Sequence, residues 1–167
     1  NCFDIINEGA ALLKSIYESL VQNLNHKLNP LKYAIITISC SRAFEDIEDS
    51  ITFLGKAVER MERYKDAVFL LEVSQAEKKL ALGKHHDSLE QLNDVRARIE
   101  QIADVDSKVF AALAHVFGLY YKRKDDHENY FKSCLQYLAY TPSAEMDQKE
   151  KKELSIKMGM SILLGKN

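Results

Sequence analysis

KDAVFLLEVSQAEKKLALGKHHDSLEQLNDVRARIEQI, residues 65–102, predicts two helices joined by a very short turn. Apolar side chains recur every three or four residues on both sides of Gly83, which places them on one face of each helix. Gly83 favours the left-handed backbone conformation that commonly ends a helix. Because the connection is so short, the two helices must lie antiparallel, and the stretch predicts a helical hairpin.

The same helical spacing precedes this hairpin. It predicts a helix over Ala10–Asn25, a second from Pro30 to about Arg42, and a third carrying Ile47, Ile51, Leu54, Val58 and Met61. Asn29 before Pro30 is a helix start, because asparagine caps free amides and proline at the first position loses no hydrogen bond. The β-branched stretch Tyr33–Ile38 resembles a strand, but an isolated strand would have no partner, so we expect a buried helix.

Two further helices follow the hairpin. Asp106 or Ser107 is expected to cap the first, and Asp125 or Asp126 the second. Thr141 before Pro142 repeats the cap-and-proline pattern. A last helix is predicted over Met146–Leu164.

The predicted hairpins recur along the chain at a spacing of about 35 to 42 residues, close to that of two-helix solenoid repeats. They begin near Pro30, Lys65, Ser107 and Ser143. We therefore expect an all-α fold of about eight helices as stacked antiparallel hairpins, a TPR-like α-solenoid forming a right-handed superhelix. Residues 1–167 form one predicted helical-repeat domain.

Composition limits the function classes. Two prolines and six glycines in 167 residues are too few for an all-β protein with frequent turns. A formal charge of −2 gives no overall attraction to nucleic acid or anionic membranes, and no apolar run approaches the ~20 residues that span a bilayer. We expect a soluble protein with neither nucleic acid nor membrane as partner.

Cys2, Cys40 and Cys134 are odd in number, and their spacing matches neither a disulfide framework nor a zinc site. We interpret them as reduced thiols of an intracellular protein, with Cys134 a small core residue. Because no initiator methionine opens the sequence, we expect a fragment of a longer chain.

One polar cluster invites a phosphate or metal site: Gly83, Lys84, His85 and His86. A Walker loop needs glycine five residues earlier, where Lys78 stands, and Ser or Thr after the lysine. Adjacent histidines point to different sides of a helix and cannot chelate one ion together. We interpret the cluster as a polar turn.

The remaining reactive groups have structural interpretations. His115 lies within an apolar helix, and we expect it to be packed and hydrogen-bonded. The positive charges of Lys122–Lys124 are offset by the two aspartates that follow. Residues Lys149–Glu153 carry charges of both signs, which is typical of a solvated helix face. A helical-bundle metal enzyme requires histidines that follow a glutamate by three residues, and no histidine of this chain has that spacing. We predict no enzyme, no catalytic, cofactor or metal site, and no small-molecule substrate.

Aromatic residues are concentrated in the predicted hairpin that begins near Ser107, and most of them are expected to belong to the core. They are Tyr120, Tyr121, Tyr130, Phe131, Tyr137 and Tyr140. Adjacent tyrosines cannot both lie at the centre of one helical stripe, so one of Tyr120 and Tyr121 is expected to reach a neighbouring element or a partner. We assign no partner-binding residues.

The order of several short motifs resembles a known family. They are Ile16–Glu18 leading to His26–Leu31, Ile51–Leu54, Ala81–Gly83, Asn129–Lys132 with Leu135, Tyr137 and Leu138, and Leu163–Gly165. In this order they resemble the helical-repeat part of the non-ATPase regulatory subunit 13 family of the 26S proteasome, lid subunits of the PCI class. The resemblance runs from Ile16 to Leu164, and it departs from the family at Asp125, where the family's turn usually holds glycine.

The resemblance implies a noncatalytic scaffold of the 19S regulatory particle, in the cytoplasm and nucleus. Such a scaffold would mediate protein–protein contacts for lid assembly in ubiquitin-dependent degradation, and it has no catalytic residues to carry over. Implied partners are other PCI-family lid subunits and the ubiquitin-receptor side of the particle. The resemblance also implies that the chain continues into a C-terminal PCI winged-helix domain.

Two alternatives remain. One is a TPR-like adaptor that binds peptide tails in a concave groove. Basic and asparagine side chains that recur at one repeat offset would favour it, and no such recurrence is present. The other is a subunit of a related PCI complex, the COP9 signalosome or translation initiation factor 3.

Overall fold

A computed structural model describes residues 29–141 and 148–164. All regular secondary structure in these two ranges is helical, so the predicted all-α class is confirmed. The predicted helix Ala10–Asn25 and the predicted start of the last helix at Met146 lie outside the described residues. The helices are α1 (Pro30–Ser41), α2 (Ile47–Arg60), α3 (Lys65–Ala81), α4 (His85–Glu100), α5 (Ser107–Arg123), α6 (His127–Tyr140) and α7 (Gln148–Leu164).

Side-chain caps define several helix starts. The Asn29 side chain accepts a hydrogen bond of 2.9 Å from the amide of Leu31, with Pro30 at the first helical position, as predicted. Of the two alternatives at each later start, Asp106 caps α5 and Asp126 caps α6. Each of these carboxylates accepts a hydrogen bond from a free amide of the first turn.

The stretch Tyr33–Ile38 is helical, which confirms the interpretation of a buried helix over that of a strand. Tyr33, Ala34 and Thr37 are buried against the rest of the core. The Thr37 hydroxyl donates a hydrogen bond of 2.9 Å to the carbonyl of Tyr33, so burial leaves it satisfied. Tertiary packing therefore overrides the β-propensity of this segment.

The first hairpin, α3 and α4, is antiparallel. Its turn is a Schellman motif in which Gly83 has φ of +80°, and the amides of Gly83 and Lys84 bond the carbonyls of Leu80 and Lys79. The predicted left-handed glycine is confirmed.

Cross-helix contacts fix the register of the first hairpin. The Ser88 hydroxyl donates to the carbonyl of Ala76 at 2.8 Å, and Arg98 pairs with Glu72 farther from the turn. Residue numbers fall on α3 as they rise on α4, as an antiparallel pair requires.

The second hairpin, α5 and α6, packs mainly through rings. Phe110 stacks on Tyr140 with ring centroids 4.9 Å apart, and His115 lies 5.6 Å from Tyr137. Nearer the turn, Gly118 approaches so closely that an added Cβ would lie 3.6 Å from the Cβ of Ser133. These two helices form the most extensive helix–helix contact of the described residues.

The hairpins repeat in register. Helices α3 and α5 each contain 17 residues and begin 42 residues apart, at Lys65 and Ser107, within the predicted spacing. They also lie side by side, so neighbouring hairpins stack through their first helices. The right-handed path of the superhelix stays a prediction.

The core runs through the stack, and α3 lies at its centre, in contact with α1, α2, α4 and α5. Fully buried aliphatic side chains from four consecutive helices meet there. They are Leu54, Leu71, Leu92, Val95 and Val109. Burying each such side chain contributes about 1.5–3 kcal/mol.

Candidate interaction surfaces

The polar cluster at residues 83–86 forms the turn between α3 and α4. Lys84 lies at the start of α4 and pairs with Glu48 of α2 at 3.1 Å, across an exposed surface. His86 is exposed and near Asp87 and Glu90. Within residues 29–141 and 148–164, no group of three or more His, Cys, Asp or Glu is placed to hold a metal ion.

His115 is exposed, so the prediction of a packed histidine is wrong. The prediction relied on the apolar composition of α5, whereas burial depends on the angular position of a residue around the helix. The buried face of α5 carries Val109, Leu113, Val116 and Phe117, and His115 lies beside it. With Tyr130 and Cys134 it lines a cavity of about 130 Å³ that Leu154 of α7 also reaches.

The described cysteines are buried free thiols, Cys40 and Cys134. Burial raises the pKa of Cys40, which disfavours the nucleophilic thiolate. Burial, followed by a hydrogen bond with Cys134, raises the pKa of Tyr130 to about 12. These groups stay protonated near neutral pH, and the prediction of Cys134 as a core residue is confirmed.

The basic run at residues 122–124 ends α5. The Arg123 guanidinium donates a hydrogen bond to the carbonyl of Leu80, so it links the end of α5 to the end of α3. Lys124 is the C-cap residue. The mixed-charge run that follows residue 148 lies in the first turns of α7, with Lys149 and Lys152 exposed.

None of the six aromatic residues of the second hairpin is fully buried, so the prediction that most belong to the core is wrong. Helix α6 packs on α5 and also contacts α7, but it contributes no ring to the fully buried core. Tyr121 packs against the core cluster, while Tyr120 contacts the edge of its ring at 5.5 Å. Because the ring neighbours of Tyr121 are Phe117 and Tyr120 of the same helix, the expectation that one of the two tyrosines reaches a neighbouring element or a partner stays a prediction.

An apolar stripe lies on the outer side of α6. Phe131, Leu135 and Leu138 are spaced by four and three residues, which places them along one flank of the helix. Leu135 is 46% exposed and Leu138 is 38% exposed. We name these three residues the outer stripe.

A groove lies where α2 ends, α3 begins and α4 ends. One cavity of about 610 Å³ has Val58, Val68, Phe69 and Ile102 among its apolar lining residues. A second of about 310 Å³ lies beside the start of α1 and shares Ile102 and Lys65 with the first. We name the two adjoining cavities the turn-edge groove.

A partly buried ion pair is part of the lining of this groove. Arg98 of α4 pairs with Glu72 of α3 and lies over the ring of Phe69, 5.3 Å from its centroid. Burial raises the pKa of Glu72, while the hydrogen bond and the charge of Arg98 oppose the shift. Arg98 therefore favours the charged form of Glu72, which burial disfavours.

No helix in the described part of the chain has the length and apolar character needed to cross a bilayer. The turn-edge groove is not apparent from sequence spacing, because its lining comes from the ends of α2 and α4 and the starts of α1 and α3. Leu135 and Leu138 of the outer stripe were among the residues that carried the family resemblance, but nothing in their spacing distinguished an exposed stripe from a buried one.

Comparison with known proteins gives the family. The chain is 26% identical over 168 residues to the 26S proteasome non-ATPase regulatory subunit 13 homolog A of Arabidopsis thaliana, covering 98% of this chain and 43% of that protein. It is 27% identical over 162 residues to the probable 26S proteasome regulatory subunit rpn9 of Schizosaccharomyces pombe, covering 95% and 42%. The chain thus spans less than half the length of these relatives. Residues 3–167 match the PSD13 N-terminal repeats, and the chain belongs to that family.

Proposed function

We propose that the protein is a noncatalytic scaffold subunit of the 26S proteasome regulatory particle, in its 19S lid. It mediates the protein–protein contacts of lid assembly in ubiquitin-dependent protein degradation. The proposal draws on the family of the repeats and on relatives whose names place them among the regulatory subunits of the 26S proteasome. Cytoplasm and nucleus are the corresponding compartments.

The outer stripe is the observation that carries the scaffold role. A repeat array buries the apolar faces of its helices against neighbouring repeats, so a stripe left on the surface costs solvation free energy until something covers it. Leu135 and Leu138 lie on the same flank of α6 and are both exposed. On α7, Ile156 and Met160 are also exposed and four residues apart.

The partners proposed for these surfaces are other PCI-family lid subunits and the ubiquitin-receptor side of the particle. A C-terminal PCI winged-helix domain completes the full-length protein in this proposal. The described residues support the noncatalytic part through chemistry, because burial disfavours the thiolate of Cys40 and the polar clusters serve as caps, turns and ion pairs.

The test is affinity purification of the tagged full-length protein from its own cells, with subunits quantified by mass spectrometry. We expect lid subunits to copurify in stoichiometric amounts. Purification of signalosome or initiation factor 3 subunits alone would replace the proposal with the related-complex alternative. Capture of peptide tails without lid subunits would support the TPR-like adaptor.

A variant connects the outcome to the outer stripe. Leu135→Asp with Leu138→Asp should reduce recovery of lid subunits at least about tenfold, because two carboxylates would be desolvated at the contact. The matched control is Gln136→Asp with Ala139→Asp, exposed positions with the same spacing on another side of α6. Equal loss in both variants would contradict a role for the stripe, and circular dichroism verifies that both remain folded.

A further inference from the structure

The turn-edge groove has four carboxylates that form an acidic rim and an apolar floor, formed by Val58, Val68, Phe69 and Ile102. Glu59 and Glu62 line the larger cavity, and Asp66 and Asp104 line the smaller. Within the described ranges, none of these four carboxylates forms an ion pair with a basic side chain. Among the residues that the structure describes, the negative charge of the groove is therefore left uncompensated by ion pairs.

The lining holds two basic side chains, and neither neutralises the rim. Arg98 is engaged by Glu72 and by Asp94, at 2.9 Å from the latter. Lys65 is exposed at the junction of the two cavities and is outnumbered by the four rim carboxylates. The electrostatic field of the groove favours a cation.

Negative charge is concentrated where α3 and α5 begin. The carboxylates of Asp106 and Asp104 lie close enough to the carboxylate of Asp66 to repel it, and the backbone of Asp106 faces it. Burial, followed by the charges of Asp106 and Asp104, raises the pKa of Asp66. A bound cationic group would relieve this repulsion.

An exposed aromatic ring stands at the same place. Tyr64 precedes α3, is 52% exposed and lines the smaller cavity beside Asp66. Tyrosine is a frequent anchor at interfaces, and its ring face also attracts guanidinium and ammonium groups. Floor, rim and ring together match a polypeptide with alternating basic and apolar side chains.

We infer that the turn-edge groove binds a basic segment of another protein, with an aliphatic side chain on Val58, Val68 and Ile102 and flanking Arg or Lys side chains on the rim carboxylates. The inference does not depend on the proteasome assignment. Nucleic acid and anionic lipid are disfavoured by the sign of the rim.

The test uses the 167-residue chain and a fluorescein-labelled peptide of about 12 residues in which arginine and lysine alternate with leucine. We expect saturable binding by fluorescence anisotropy. We also expect amide shift changes in nuclear magnetic resonance spectra that cluster at residues 58–72 and 98–106. Absence of binding, or shift changes confined to other regions, would overturn the inference.

Two comparison peptides separate the contributions of charge and apolar contact. A peptide with glutamates in place of the basic residues should not bind. A peptide with serines in place of the leucines should bind at least about tenfold more weakly. If the serine peptide bound equally well, the apolar floor would have no role and the inference would fail.

Charge reversal on the rim tests the location. Glu59→Lys with Glu62→Lys should weaken binding at least about tenfold, and both positions are exposed, so folding is preserved. The matched control is Glu45→Lys with Glu90→Lys, which makes the same change in net charge at exposed positions away from the groove. If both double variants weakened peptide binding equally, the loss would reflect net charge alone, and the inference would be overturned.

Discussion

The two hairpins share a backbone and differ in the side chains that hold it. At an offset of 42 residues, Gly83 corresponds to Asp125, and both adopt positive φ, +80° and +55°. The amides of Asp125 and Asp126 bond the carbonyls of Lys122 and Tyr121, the same Schellman pattern as in the first turn. The turn is therefore a property of the repeat, and glycine is only its least strained occupant.

The helix crossings differ in the same way. In α3 and α4, Ala76 faces Ser88, whose hydroxyl bonds the Ala76 carbonyl. At the corresponding positions of α5 and α6, Gly118 faces the ring of Tyr130. A smaller residue on one helix accommodates a larger one on the other, so the repeat conserves the spacing of its helices while it changes the chemistry of their contact.

The largest expected effect comes from a substitution that disrupts the packing of α5 on α6. Gly118→Leu should destabilise the protein by about 1–3 kcal/mol, because an added Cβ already contacts Ser133 and Tyr130, and the three carbons beyond it exceed the space that the small cavity beside them offers without side-chain shifts. Gly118→Ala is the control: its Cβ would meet Ser133 at 3.6 Å, an ordinary contact, and alanine favours the helix by about 1 kcal/mol. Denaturant unfolding measures both, and a Leu variant as stable as the parent would contradict close packing here.

The next effect tests the first turn. Gly83→Ala should cost about 1–2 kcal/mol, the cost of a left-handed conformation for a residue with a Cβ. No atom lies within 4 Å of that Cβ, so the whole cost comes from the backbone. Gly159→Ala has equally open surroundings without positive φ and should stabilise α7 slightly. Equal thermal stabilities of the two variants would refute the argument.

A smaller effect tests the polar contact of the first hairpin. Arg98→Ala should cost about 1 kcal/mol, because Glu72 loses its partner but the pair is partly exposed. Lys132→Ala, which removes an exposed pair with Glu128 on α6, should cost less than about 0.5 kcal/mol. Urea unfolding distinguishes them, and equal costs would show that burial adds nothing at Glu72.

Arg98→Ala should also change how the stability of the protein depends on pH. Without Arg98 the pKa of Glu72 should rise further, since Arg98 is the group that opposes the effect of burial. A carboxyl whose folded pKa exceeds its unfolded value binds protons on folding, so stability falls as pH rises through the folded pKa. The deficit of Arg98→Ala should therefore shrink as pH is lowered through that range. A deficit that grows on acidification would contradict this assignment.

The smallest effect sharpens the comparison of the turns. Asp125→Gly should stabilise the protein by about 0.5 kcal/mol, because relief of the left-handed strain is partly offset by the greater freedom of glycine in the unfolded chain. Lys124→Gly, at a neighbouring residue with φ of −93°, should destabilise it instead. Both are measured by thermal unfolding, and destabilisation by Asp125→Gly would mean that the aspartate side chain itself contributes.

Local features of the fold were predictable from the sequence. Helical spacing, the Asn29–Pro30 start and the glycine at residue 83 depend on residues close together in the chain. The left-handed conformation of Asp125 was missed, although the family's glycine at that position and the 42-residue offset from Gly83 both indicated it. Aspartate tolerates this conformation better than most residues, so its presence gives little warning.

Features that depend on several elements could not be predicted. The exposure of His115 depends on which flank of α5 its neighbours cover, and the turn-edge groove combines side chains from α2, α3 and the connection after α4. Sequence spacing locates a face on one helix, but it does not say which faces the stack leaves open.

The two hairpins are joined at both ends of their shared contact. Arg123 donates a hydrogen bond to the carbonyl of Leu80 at one end, and the backbone of Asp106 faces Asp66 at the other, about one helix length away. Rotation of one hairpin relative to the other would break the first contact or separate the second. This junction should thus resist bending and behave as a stiff beam, which would keep the outer stripe and the turn-edge groove at a constant separation under mechanical load.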